Sequence, residues 1–257
     1  MDIDIADFKR KLEMMMKDAG PNSVIMMDPQ ILEKLYSSGD PSFVMMPTKT
    51  PKEIVADIYE QRKLIALELA DKIPLILDKT RPSIQTLHDE IRECIYFGQY
   101  GAAITLCGIL VEYTLKYVTY CWDIPERSIA FDCKKWDDIV EGTLFEGAIN
   151  KALGMQIISG TESEALKAFK NAVRNPYSHY NIRKLVKDVI VPSQRMDVGK
   201  NAIETVENMA GEDPAFFHLA KKWIDDKSVA GIYRITYHNV RVLLTRLNVR
   251  QSAKEER

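Results

Sequence analysis

An arginine and a histidine separated by four residues, Arg174 and His179, are the pair in this sequence best suited to do chemistry. The guanidinium of an arginine is a permanent cation whose planar fork of donors matches phosphate oxygens. A histidine both accepts and gives a proton near neutral pH. Held together, the two side chains would supply the charge stabilisation and the proton transfer that metal-independent cleavage of a phosphodiester needs.

The spacing of this pair does not place both side chains on one face of a straight helix. Residues five apart point about 140° away from each other at 3.6 residues per turn. Pro176 lies between them and is expected to break or kink the preceding helix, which could turn both side chains into one cleft or toward a partner subunit. In the alternative interpretation the segment is an ordinary helix end, with Asn175 as a cap and His179 on a solvated turn.

The residues around the pair resemble the signature of the HEPN superfamily, which comprises small helical domains with an R-x4-6-H motif in which Asn often follows the Arg. The run 174–180 carries this motif. Upstream, residues 100–115 are similar to the long second helix of one branch of the superfamily, and residues 144–154 are similar to its short connecting helix. The similarity covers residues 60 to 190, with the elements in the same order.

The resemblance implies an all-α fold, a HEPN-like antiparallel helical bundle, and a metal-independent endoribonuclease that works as a homodimer without a cofactor. His179 would act as general base toward a ribose 2′-OH or as acid toward the leaving 5′-oxygen, and Arg174 would stabilise the charge of the transition state. Asn175 would position the phosphate or the histidine. Tyr177 and Tyr180 would stack on a base or pack the dimer.

The resemblance also implies a biological setting. Members of the superfamily commonly serve as toxins or in antiviral defence, so the expected substrate is RNA, either host RNA or tRNA. The expected protein partner is an antitoxin or a subunit of a defence system. The alternative is a non-catalytic HEPN-like module that binds RNA, a nucleotide or a protein partner within a larger assembly.

Glu112 interrupts the most apolar helical segment of the chain, where an unpaired carboxylate is costly. In one interpretation it faces solvent and pairs with Lys116, four residues on. In the other it faces the motif and orients the guanidinium of Arg174.

Composition limits the classes of function. The 257 residues carry a formal net charge of -2, so attraction to RNA must come from a local patch, which Arg174, Arg183, Lys184 and Lys187 could form around the motif. The four cysteines form no C-x2-C pair, so reduced thiols and no metal site are expected. No signal peptide opens the chain and the apolar run 100–111 is too short to span a bilayer, so we expect a cytoplasmic protein.

Hydrophobic periodicity predicts mainly helices. Residues 1–49 form a Met-rich N-terminal extension, which either binds a partner or packs on the main domain, with short strands possible at 24–27 and 43–46. Residues 50–250 form the HEPN-like domain and 251–257 a polar tail. A polar insertion at 123–143 is expected to be anchored by Trp136. The predicted helices cover 2–19, 50–73, 82–97, 100–122, 144–153, 162–175, 177–191, 200–210, 214–224 and 229–247.

The same periodicity predicts which residues of these helices are buried. Ile84, Leu87, Ile91 and Ile95 form the core stripe of the helix at 82–97, and Ile235 belongs to that of the helix at 229–247. His88 is expected at the surface or partly buried, and Asp225 on a solvated turn or cap. The small residues of the helix at 100–122, among them Gly108, would let another helix approach closely.

Overall fold

The computed structural model describes residues 24–26, 50–123, 131–197 and 202–255. Most of them are helical, which confirms the mostly α-helical class expected from the sequence. The predicted helix at 2–19 and the predicted strand at 43–46 lie outside the described residues. Contacts divide the chain into a larger unit, Pro51–Ile182 with Lys222–Arg257, and a smaller one, Met1–Thr50 with Arg183–Lys221.

The helices begin and end close to the proline and glycine signals of the sequence. Two π-helical turns, Asp137–Glu141 and Lys170–Arg174, interrupt the series. In chain order the helices are α1 (Pro51–Ala70), α2 (Pro82–Tyr96), α3 (Tyr100–Cys121), α4 (Cys133–Trp136), α5 (Phe145–Gly154), α6 (Gly160–Phe169), α7 (Asn175–Ser178), α8 (Ile182–Val186) and α9 (Pro214–Glu255).

Helix α3 lies at the centre of the larger unit and contacts α2, α5, α7 and both π-helical turns. Its apolar side chains Ile104, Cys107, Val111 and Leu115 are completely buried. By length and composition α3 is able to cross a membrane, yet 61% of its most apolar stretch is buried within the protein, as is usual for a core helix. The scaffold of the candidate site is therefore built around this helix.

The set of buried residues on helix α2 differs from the predicted set at one residue. Ile84, Ile91 and Ile95 are buried as predicted, but the fourth buried residue is His88 rather than Leu87. His88 was expected at or near the surface and is only 1% exposed, since its Nε2 atom lies 2.8 Å from the hydroxyl of Tyr233 on α9. The hydrogen bond to a tyrosine allows a polar ring to occupy a core position.

The polar insertion after α3 is anchored by Trp136, as predicted. The Trp136 ring meets the ring of Tyr120 edge to face, with centroids 5.2 Å apart, and also contacts Tyr117 and Phe131. Such aromatic pairs add about 0.5–1.5 kcal/mol beyond the area they bury.

The prediction of a helix at 200–210 is wrong, and that of one helix over 177–191 is confirmed only at the end of α7 and over Ile182–Val186, because a turn separates the two and a strand begins at Ile190. Residues Ala202–Met209 form strand β3, which pairs antiparallel with β2 (Ile190–Asp197), and β1 (Val24–Met26) pairs parallel with β2. The predicted strand at 24–27 is thus confirmed over 24–26. β-Branched residues at 203, 205 and 206 favour the strand once a partner strand is present, and that partner is set by the fold rather than by local pattern.

The last helix is continuous, whereas the sequence predicted two helices at 214–224 and 229–247. Helix α9 runs over 42 residues because the polar run 225–228 holds neither proline nor glycine. It also includes residues 251–255 of the predicted polar tail, where Gln251 is buried. Ile235, predicted in the core stripe, is 52% exposed, and Tyr233 and Thr236 are buried instead.

Candidate functional site

The segment that carries the Arg-His motif is one helical run rather than a broken helix. It begins at α6, where Ser159 and Glu162 form a capping box, and continues through the π-helical turn Lys170–Arg174 into α7. The backbone N–H of Asn175 donates to the carbonyl of Lys170, five residues back. Pro176 has no N–H and its ring crowds the preceding turn, so a widened turn accommodates it where a break was predicted.

The run ends in a Schellman motif centred on the histidine. His179 is the C-cap residue, and the N–H of Asn181 donates to the carbonyl of Pro176 at 2.9 Å while that of Tyr180 donates to Tyr177 at 3.3 Å. Tyr180 has φ 49° and its side chain is exposed. This left-handed position normally belongs to glycine, so the tyrosine is held there against a steric cost.

Arg174 is held by the carboxylate of Glu112, which also binds Lys116. The Nε atom of Arg174 donates to Oε2 of Glu112 at 2.8 Å, and Nζ of Lys116 lies 2.9 Å from Oε1. The same carboxylate therefore orients the guanidinium and pairs with Lys116 along its own helix, but Glu112 is buried, so the expectation that it faces solvent is wrong. Two cations share one anion, so this cluster keeps one positive charge.

The approach of Arg174 to α3 depends on Gly108. A Cβ atom at Gly108 would lie 3.2 Å from Cα and 3.1 Å from Cγ of Arg174. The small residues of α3 were predicted to admit a neighbouring helix, and at this position that prediction is confirmed. Gly108 lies one helical turn before Glu112 on α3, and Arg174 contacts both residues.

Asn175 and His179 take different positions around the cluster. Nη1 of Arg174 donates to Oδ1 of Asn175 at 3.4 Å. His179 is exposed, and within the described parts of the chain no hydrogen bond joins it to Arg174. Glu112 engages the Nε atom of Arg174, and the arginine itself is half-buried.

Tyr177 is buried in the core of the larger unit. Its hydroxyl donates to Oδ1 of Asp225 at 2.6 Å, and both side chains are buried. Burial, and then the hydrogen bond to this carboxylate, raises the pKa of Tyr177 well above its usual range. Tyr177 therefore fixes the end of the motif against α9, and the expectation that it stacks on a base is wrong for this side chain.

Asp225 was expected on a solvated turn, and its place in the core corrects that prediction. The error followed from the predicted break in α9, since a turn at 225–228 would expose the carboxylate. No local signal pairs it with Tyr177, 48 residues away in sequence. Gly108 and Lys116, in contrast, stand one turn from Glu112 in the sequence, where helical spacing points to them.

Arg183 and Lys184, two residues of the predicted basic patch, are exposed residues of α8 that belong to the smaller unit. Nε of Arg183 donates to the carbonyl of Gly211 at 3.3 Å within that unit. As for metals, the described residues contain no group of three or more His, Cys, Asp or Glu side chains placed to hold an ion.

Comparison with known proteins adds no further assignment. No family model matches the sequence, and no curated protein or solved structure is similar to it. The resemblance to the HEPN superfamily stays a prediction that rests on residues 174–180 and on the order of the helices around them.

Proposed function

We propose that this protein is a HEPN-type endoribonuclease that cleaves RNA without a metal ion, with Arg174, Asn175 and His179 at its active site. The observation that carries the proposal is the clamp on Arg174. A carboxylate 2.8 Å from Nε fixes the plane of the guanidinium, and the shared pairing with Lys116 leaves net positive charge there. A fixed cation with outward donors suits a phosphate that gains charge during reaction.

The reaction follows from the chemistry of the two side chains. His179 takes the proton from a ribose 2′-OH or gives one to the departing 5′-oxygen. The 2′-oxygen bonds to phosphorus as the bond to the 5′-oxygen breaks, so the products are a 2′,3′-cyclic phosphate and a 5′-hydroxyl. Arg174 stabilises the charge on the phosphoryl oxygens, and Asn175 positions the phosphate or the histidine.

The geometry of the motif favours a dimer as the active form. Arg174 and His179 flank α7 and are five residues apart, a separation that on a straight helix turns two side chains about 140° away from each other. A two-fold axis would bring the arginine of one copy near the histidine of the other. Light scattering should therefore show a homodimer, and a fully active monomer would contradict this part of the proposal.

The decisive experiment is RNA cleavage in EDTA with the wild type, His179→Ala and His238→Ala. His238 is the matched control because it is another exposed histidine, on α9 and outside the motif. We expect the wild type and His238→Ala to cleave tRNA or total RNA equally and to leave cyclic phosphates, while His179→Ala is inactive. Activity that disappears in EDTA, or products with 5′-phosphates, would falsify the mechanism.

A second candidate function, a non-catalytic module that binds a protein partner, is favoured by the surface of α1. Val55, Ile58, Tyr59, Leu64 and Leu67 are between 51% and 66% exposed on this helix. Leu64 and Leu67, three residues apart, share a face of the helix, and exposed apolar side chains that lie together mark an interaction surface. If partner binding is the main function, His179→Ala will leave binding of the partner unchanged, whereas Leu64→Glu with Leu67→Glu will abolish it.

A further inference from the structure

A shallow cavity of about 790 Å³, largely open to solvent, lies on the larger unit and is lined by residues outside the Arg-His motif. Its walls come from the end of α5, the start of α6 and the last turns of α9. Most of this surface is apolar, and its exposed apolar side chains are Leu153 and Val249, whereas Ile157 and Ile158 line it but are almost fully buried. The volume lies within the range of about 300–1,000 Å³ that is typical of small-molecule sites.

The charges around the cavity do not balance. Arg246 donates to both carboxylate oxygens of Glu162, at 2.8 and 2.9 Å, and to the carbonyl of Ile157, so its charge is matched. Arg250, one turn further along α9, is exposed and forms no ion pair among the described residues. The cavity thus combines an apolar wall with one uncompensated cation.

The position of this cation is fixed by an aromatic ring that also lines the cavity. The guanidinium carbon of Arg250 lies 5.7 Å from the centroid of Trp122. The backbone of Trp122 is in turn held by Lys254, whose Nζ donates to its carbonyl at 3.2 Å. A cation–π contact of this kind orients the guanidinium while its N–H donors stay available to an anion.

A residue in a costly backbone conformation also lines the cavity. Gln156 has φ 57° in a second Schellman motif, in which the N–H of Ile157 donates to the carbonyl of Ala152. Glycine would occupy this position without strain. The glutamine instead brings an amide, with both donor and acceptor atoms, to the edge of the apolar wall.

We propose that this cavity binds a small amphipathic anion, whose apolar body lies on Leu153 and Val249 and whose single acidic head pairs with Arg250 and Gln156. Charge decides between anion and cation, because Arg250 is unmatched while Glu162 is already fully engaged by Arg246. The apolar wall excludes a purely polar ion as the preferred ligand. The site is separate from the motif, so the proposal does not depend on RNA cleavage.

The test uses anilinonaphthalene sulfonate, a fluorescent probe with an apolar body and one anionic head. Titration of the full chain should give saturable fluorescence with one probe per chain. Decanoate should displace the probe, and decyltrimethylammonium, which has the same tail and the opposite charge, should not. Non-saturable fluorescence, or equal displacement by the cation, would overturn the proposal.

Variants identify the site. Arg250→Met should raise the Kd of the probe about tenfold or more, and Val249→Glu should do so as well, because it places a carboxylate on an exposed part of the wall. The matched control is Arg241→Met, which removes an arginine held over Tyr237 at 5.6 Å on the same helix but outside the cavity. Unchanged affinity in Arg250→Met, or an equal loss in the control, would show that the probe binds elsewhere.

Discussion

Gly108 and Arg174 lie in close contact where α3 meets the π-helical turn, so a methyl group at Gly108 would require the arginine to shift by a few tenths of an ångström. A Cβ atom at Gly108 would stand 3.1 to 3.2 Å from three atoms of the arginine, one of them its Cα. The contact couples the backbone of the core helix to the position of the proposed catalytic cation. It also explains why a glycine is useful inside a long helix, where it normally costs about 1 kcal/mol relative to alanine.

The first prediction concerns Gly108→Ala. The added methyl group must push Arg174 away, so we expect slower RNA cleavage and a loss of about 1–3 kcal/mol from overpacking, partly offset by the better helix propensity of alanine. Thermal unfolding and initial cleavage rates measure the two effects. The control is Gly231→Ala in α9, where nothing lies within 4 Å of the new Cβ. That variant should gain about 0.5–1 kcal/mol, and an equal gain in Gly108→Ala would contradict the close contact.

The second prediction separates the two partners of Glu112. Glu112→Gln leaves two cations without a carboxylate, so we expect a loss of about 1–3 kcal/mol and weaker cleavage. Arg174→Ala should cost no more than about 1 kcal/mol, because Lys116 still compensates the carboxylate.

The two changes to the Glu112–Arg174 pair should also couple in a double-mutant cycle. Urea denaturation should give a coupling energy above about 0.5 kcal/mol. Glu164→Gln is the control, because its ion pair with Lys167 is exposed and should contribute little. Additive effects of Glu112→Gln and Arg174→Ala would mean that the carboxylate does not orient the guanidinium.

The sequence predicted correctly those helices whose ends are marked by proline, by glycine or by strong hydrophobic periodicity. Helices α2, α3 and α5 begin and end within one residue of the predicted bounds, since Pro82, the Gly98–Gly101 break and strong periodicity mark them. The strand pair β2–β3 was missed because a strand becomes favourable only beside its partner. The helix that carries the motif was expected to break, since the sequence shows the proline but not the π-helical turn that accommodates it.

The same distinction between local signals and tertiary packing applies to the residues of the candidate site. A carboxylate in an apolar helix needs a cation beside it, so the sequence predicted a cationic partner for Glu112, with Lys116 and Arg174 as the two candidates. The contact between Tyr177 and Asp225 needed the full path of α9, which only the packed helices define. Residues joined by helical spacing were predictable, and residues joined only by tertiary packing were not.

The third prediction concerns Tyr180, which occupies a left-handed position at φ 49°. Tyr180→Gly removes a steric cost of about 1–2 kcal/mol from the folded state. Because the unfolded chain becomes more flexible, ordering the glycine on folding costs about 0.5–1 kcal/mol more, so the free energy of unfolding should rise by up to about 1 kcal/mol. If the exposed ring contacts RNA beside His179, cleavage should fall in the same variant. Greater stability with lower activity would show that the strain serves function.

Two further variants separate strain from the loss of the ring. Tyr180→Ala keeps the strained conformation and removes the ring, so it should lose activity without gaining stability. Gln156→Gly relieves the same kind of strain at the end of α5, so it should gain stability while RNA cleavage stays the same. Full activity in Tyr180→Ala would exclude a role for the ring in binding RNA.

The fourth prediction is a loss of stability in mild acid caused by His88. Burial, and then the neighbouring charge of Arg92, lowers the pKa of His88 from 6.5 to about 4 in the folded protein. The unfolded chain therefore binds the proton more readily, so the free energy of unfolding is highest above pH 6.5 and falls as the pH drops toward 4. The full change is about 3 kcal/mol, at 1.36 kcal/mol for each pKa unit.

Urea denaturation between pH 7.5 and 4.5 tests this origin of the acid sensitivity. His88→Gln should remove most of the slope while keeping a donor near the hydroxyl of Tyr233, and His238→Gln, at an exposed site, should retain it. The carboxylate of Glu162 does not interfere, since its hydrogen bonds with Arg246 lower its pKa to about 2, and its contribution is lost only below pH 4.5. A slope that persists in His88→Gln would place the titrating group elsewhere in the protein.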